Sequence, residues 1–180
     1  YAIVEVEEYN FPPMESCPSA LLSASLCLPF ASAAGAVEPA DRASVDPSFG
    51  PRIAEAVADT VARLDTTPCA LVLADFVDSR TGATLAENLA ATGRTASEHV
   101  ESLVFRGAPG LRPMANRHVF AFTVPTSRVV LLCREDLLRI QNQRRLLTAL
   151  VLHEVLHTLG LRKDRPSSVA ITERVLARCF

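Results

Sequence analysis

Tryptophan is absent from this 180-residue chain, tyrosine occurs twice, and none follows Tyr9. Aromatic residues amount to 6% of the total, too few to supply the stacked platform on which bases or sugars are bound. Lysine is almost missing as well: Lys163 is the single one, and arginine carries the remaining basic charge. No basic stretch is interleaved with aromatics, so a nucleic-acid partner has no support. The five cysteines include no C-x-x-C pair, which disfavours a cysteine zinc site or a thioredoxin-like redox motif. No apolar run reaches the roughly 20 residues of a stable membrane span.

What is present suits one globular domain with a real core: 49% of residues are hydrophobic, 21% are charged, and the formal net charge is -2. Residues 1–36 read as a leader. Within it, Met14 opens a signal-peptide-like segment, with an apolar run from Ala20 to Phe30. Small-x-small cleavage patterns follow at Ala31-Ser32-Ala33 and Ala34-Gly35-Ala36. No Lys or Arg precedes Arg42, so the basic n-region is lacking. The expectation is a secreted or extracytoplasmic protein. Of the cysteines beyond the leader, Cys69, Cys133 and Cys179, two could pair and one stay buried.

Residues 37–49, rich in Pro, Ala and Asp, read as a linker, and residues 50–180 as the folded domain. Gly50-Pro51 starts a helix whose apolar face is Ile53, Val57, Val61 and Leu64. Cys69 to Ala74 is a short apolar run, read as a buried strand. Asp78-Ser79-Arg80-Thr81-Gly82 is turn chemistry, and no second segment of its kind exists to make an aspartic-protease pair. A short helix over Leu85 to Ala91 ends at Gly93. The capping box Thr95-Ala96-Ser97-Glu98 opens another, through about Phe105, with His99 solvated or locally hydrogen-bonded in its first turn. Arg117 to Val124 and Ser127 to Cys133 form two strands joined tightly by Pro125-Thr126, a hairpin. A short polar helix or turn lies within Arg134 to Gln143. The last helix follows Pro166-Ser167-Ser168 and turns Ile171, Val175 and Cys179 to the core. The fold class is therefore α+β.

Between them lies the chemistry. From about Gln143 the chain is apolar on all sides of a helix, through Leu146, Leu147, Leu150, Val151, Leu152, Val155, Leu156 and Leu159. Within it His153 and His157, four residues apart, project from one helical face. Glu154 sits about 100° round from His153, within reach of a water that the pair could activate through a metal. Two imidazoles and a carboxylate in so apolar a helix need a partner, and a metal ion is the simplest one. Gly160 ends the helix just after Leu159.

His153 to Gly160 resembles the H-E-x-x-H-x-x-G motif of zincin metallopeptidases, particularly the metzincin branch. The preceding helix–strand–hairpin order is similar to a zincin N-terminal subdomain. That resemblance implies a small zincin-like domain holding Zn2+, with His153 and His157 as ligands. Glu154 would be the general base on a zinc-bound water, the activity would be a metalloendopeptidase, and the partner a peptide or protein substrate. An outer strand of the hairpin would pair with extended substrate, and His118 or Arg117 would donate to the oxyanion. The third metzincin ligand position falls on Lys163, which cannot serve as an ordinary ligand. Asp164 next to it is the first candidate, with His118 and Glu173 as alternatives and water as a further way to complete the site. Glu173 lies about 200° from Ile171 on the last helix, a solvated position. Ser167-Ser168-Val169-Ala170 is similar to the metzincin Met-turn, but Ala170 stands in place of the methionine. These departures motivate the alternative of an inactive zincin-like domain that binds metal or a partner, and beside it a structural domain whose histidines merely pack.

Overall fold

A computed structural model describes residues 44–107, 120–162 and 166–180. The leader expected at 1–36, His118 and Asp164 lie outside these residues. The described residues form an α+β domain with a four-stranded mixed sheet in the order β1-β2-β4-β3.

The chain enters the sheet at β1 (Ser44–Val45), which runs parallel to β2 (Val104–Gly107), with Ser44 opposite Val104. The end of the stretch read as a linker thus belongs to the folded domain. Asp46 caps a single 3-10 turn (Pro47–Phe49), and Gly50, at φ 67°, makes the reversal into α1 (Pro51–Leu64). Proline at the first helical position gives up only an amide that the helix would leave unpaired. Ile53, Ala56, Val57, Thr60 and Leu64 form its buried face; Ile53, Val57 and Leu64 are as the periodicity predicts, while Val61 is only half-buried.

The strand expected at Cys69 to Ala74 does not exist. Thr67–Ala70 and Val72–Asp75 are two helical turns, α2 and α3. Thr66 takes an extended conformation before Pro68, which pre-sets helical φ, and Cys69, Val72, Leu73 and Phe76 are buried at i, i+3, i+4 and i+7. Leu71, inside the same apolar run, is exposed. The run packs on the C-terminal helix, to which Cys69 is joined by a disulfide with Cys179. Among the described residues Cys133 is the free cysteine, and it is buried.

α4 (Leu85–Ala91) and α5 (Ala96–Glu101) each open with a complete capping box, Thr84 with Glu87 and Thr95 with Glu98. α5 stops four residues short of the expected Phe105. Val104 and Phe105 leave the helix for β2, where they pair in parallel with Val129 and Val130 of β4 (Val129–Leu132). β-Branched and aromatic side chains suit that half-buried sheet better than another helical turn.

The hairpin forms. β3 (Ala121–Thr123) runs antiparallel to β4 with Ala121 opposite Leu132 and Thr123 opposite Val130. β3 is the last strand of the sheet among the described residues. Its connection to β4 holds Thr126 at φ 69°, a conformation that β-branched residues rarely adopt. The Thr126 amide donates to the carbonyl of His157, which ties the hairpin to the next helix but one.

α6 (Arg134–Ile140) leads to α7 (Arg144–Thr158), the helix around which the others gather: α1, β3, α6 and α8 (Ser168–Cys179) all pack on it. Every residue of α7 from Leu147 to Thr158 is buried. Ser167 caps α8 through the Ala170 amide, and Ile171, Val175 and Cys179 face the core as expected. Ser168, Val169 and Ala170 are the first helical turn of α8. Among the described residues no helix is long and apolar enough to cross a membrane.

Candidate metal centre

α7 puts His153, Glu154 and His157 at the centre of the domain, with 0%, 0% and 1% of their surfaces exposed. The histidine rings face one another, their Nε2 atoms 3.1 Å apart. The other nitrogen of each ring is held from outside the helix face. Nδ1 of His157 donates to the carbonyl of Leu161 at 2.7 Å, and Nδ1 of His153 lies 2.9 Å from Oγ1 of Thr172 on α8.

The first contact fixes a tautomer. A carbonyl only accepts, so the His157 proton is on Nδ1 and the neutral ring presents a lone pair at Nε2. That lone pair lies 3.1 Å from the Nε2 of His153. Two lone pairs at that distance repel, so the contact calls either for a proton on His153 Nε2, in its neutral tautomer, or for a metal ion between the rings. For a tetrahedral zinc with Zn–N bonds of about 2.0–2.1 Å, two ligand nitrogens stand about 3.3–3.4 Å apart. The observed spacing is close to that value, and outer partners on both Nδ1 atoms are what metal-ligating histidines have. The pair therefore fits a metal. Among the described residues no group of three or more His, Cys, Asp or Glu side chains is assembled to hold one. Glu173 is exposed on α8, pointing away as its helical phase predicts, which removes it from the candidate ligands.

Glu154 is turned toward the sheet. Thr123, at the end of β3, donates its hydroxyl to Oε2 of Glu154 at 2.7 Å. Cys133 is close enough to respond: burial, with the charges of Asp136 and Glu154, pushes its thiol up to about 11. It therefore stays protonated at neutral pH, a poor ligand and a poor nucleophile.

Comparison with protein-family models, curated proteins and solved structures finds no match. The reading of the centre consequently rests on its own chemistry.

The turn after the helix is built as carefully as the helix. Gly160 has φ 106°, and a Cβ there would stand 3.1 Å from Oδ2 of Asp78 and 3.2 Å from Nδ2 of Asn88. Asn88, on α4, donates to the carbonyl of Leu159 at 2.9 Å, satisfying an end of α7. Asp78 is buried in the turn read from the sequence. The Arg80 amide holds its carboxyl below the usual range, helped by Thr81 and the guanidinium of Arg162. The chain can thus turn back at once and present the Leu161 carbonyl to His157.

His99 departs from expectation. It is buried, and its hydrogen bond is not local: Nε2 lies 2.8 Å from Oγ1 of Thr158, the residue after His157. Thr158 spends its own proton on the Val155 carbonyl, so His99 donates from Nε2 and leaves Nδ1 as a buried lone pair with no hydrogen-bond partner. Burial, aided by the charges of Arg94 and Arg128, lowers its pKa to about 4. It is a neutral buttress of the centre. Thr123, Thr172 and His99 reach α7, and Asn88 and Asp78 the turn that ends it, across long stretches of chain, and no local pattern announces those contacts.

Proposed function

We propose that this domain is a zincin-like, zinc-dependent peptidase in which His153 and His157 hold the metal and Glu154 is the general base. The observation that supports this most is the pair of Nε2 atoms 3.1 Å apart, with the adjacent residue a buried carboxylate on the same helix. When bound, zinc supplies Lewis acidity at the scissile carbonyl and acidifies the attacking water. Glu154 takes the proton of that water on its carboxylate and passes it to the departing amine. Leu161 and Thr172 fix the imidazole rings, and β3 offers a backbone edge for an extended peptide. Asp164 is the third ligand in this proposal, with His118 as the alternative.

One observation favours a second reading. The three side chains are sealed from solvent, an arrangement suited to a domain that stores a metal or presents a surface to a partner without cleaving. A signal-directed, secreted setting goes with either reading. Elemental analysis of protein purified without chelator, followed by digestion of a broad peptide library, separates the two. The peptidase requires about one zinc per chain, lost in His157→Ala, and turnover that Glu154→Gln abolishes while keeping the metal. Metal without cleavage supports the second reading. Absence of bound metal refutes the peptidase and the metal store, and leaves a hydrogen-bonded histidine pair in a domain that can only present a surface.

A further inference from the structure

We infer that Thr123 is the positioning residue for Glu154, an assignment that deepens the peptidase reading and rests on it for its catalytic consequence. The side chain of a base in a helix has three rotatable bonds, and its carboxylate works only where it meets the water it must deprotonate. Thr123 gives the Glu154 carboxylate a direction. Its hydroxyl is 2.7 Å from Oε2, and since a carboxylate accepts only, the hydroxyl donates.

Three features make that donor rigid. Thr123 is β-branched, so its χ1 is restricted in a strand. It is 4% exposed and its backbone is in register with Val130 of β4. Three residues on, the Thr126 amide is hydrogen-bonded to the His157 carbonyl, so the hairpin is fastened to α7 at two points, the Glu154 carboxylate and the His157 carbonyl. The strand that would receive an extended peptide is therefore the strand that aims the base. Substrate seated on β3 and the orientation of Glu154 become parts of one mechanical unit.

The test uses Thr123→Val, which keeps shape and strand preference and removes only the hydroxyl, and Thr123→Ser, which restores it. In zinc-loaded protein, Thr123→Val should lower kcat by about tenfold to a hundredfold, the scale of a hydrogen bond to a charged group. KM and zinc content should stay within about twofold, and Thr123→Ser should recover most of the loss. A second arm needs no turnover. Urea unfolding of Thr123→Val, Glu154→Ala and the double variant, in metal-free protein, should be non-additive by about tenfold in the unfolding equilibrium constant. Unchanged kcat in Thr123→Val, or an additive cycle, overturns the assignment. A wild type that holds zinc but cleaves nothing, with a non-additive cycle, refutes the peptidase reading while the hold of Thr123 on Glu154 stands.

Discussion

Replacing Gly160 by alanine would test how the end of α7 is made. Two costs combine there. The backbone is at φ 106°, where a side chain carries strain of about 1–3 kcal/mol. The new Cβ would also press on Asp78 and Asn88 at 3.1 and 3.2 Å, and the Asn88 bond to the Leu159 carbonyl would be weakened, at about 1 kcal/mol more. Against them stands a gain of about 0.4–1 kcal/mol from stiffening the unfolded chain. The net loss is about 1–4 kcal/mol. Gly93 provides an internal control, because at φ 69° it has the same sign of strain but nothing within 4 Å of an added Cβ. Gly93→Ala should therefore cost about 1 kcal/mol less than Gly160→Ala. Urea denaturation of the two variants at pH 7.5 in metal-free protein measures the difference, and zinc titration measures its reach. The Leu161 carbonyl that orients His157 is one residue beyond Gly160, so zinc affinity should fall about tenfold in Gly160→Ala and not in Gly93→Ala. Equal destabilisation of the two variants, within about 0.5 kcal/mol, would refute the crowding argument. An unchanged zinc affinity would refute the link from the turn to the centre.

Three further outcomes are expected. Thr172→Val removes the partner of His153 Nδ1 and should weaken zinc binding by about tenfold to a hundredfold in a competitive chelator titration, with little change in helix content. The Cys69–Cys179 bridge spans 110 residues, and its loss in the Cys69→Ser, Cys179→Ser double variant should lower stability by about 4–5 kcal/mol by restoring chain entropy to the unfolded state, read as a large drop in Tm. His99 has a depressed folded pKa of about 4 against an unfolded value of about 6.5, so the unfolded chain binds its proton first. Its contribution is whole above the unfolded pKa and is lost as pH falls from there through the folded one, by up to about 2–3 kcal/mol. Unfolding of metal-free protein at pH 7.5 and pH 4.5 should show that loss in the wild type and a smaller one in His99→Gln.

The helix that matters was readable because its information is local. An unbroken apolar pattern, histidines four apart and a glycine stop specify α7, its histidine-bearing side and its end within sixteen residues or so. The hairpin is legible for the same reason, from two β-branched and aromatic runs joined tightly at Pro125-Thr126. Cys69 to Ala74 misleads because a short apolar run looks alike in a buried strand and a buried helix. The i, i+3, i+4, i+7 spacing of Cys69, Val72, Leu73 and Phe76, and Pro68 before them, held the answer. Val104 and Phe105 were drawn into α5 by its capping box, whereas partners in β1 and β4 decide their fate. The outer holds on the centre come from positions 19 to 59 residues away in sequence, from Thr172, Thr123 and His99, so no window along the chain contains both ends of the contact.

The disulfide has one more consequence, for how damage to this protein would look. Cys69 and Cys179 enclose every residue assigned to the centre, together with α4 to α7 and β2 to β4. A single cut anywhere inside that ring, including one made by a neighbouring copy, releases no fragment. The clipped chain runs as an intact species until reductant is added and only then separates into two pieces. Paired gels with and without reductant would therefore reveal internal nicks that solubility and elution volume conceal.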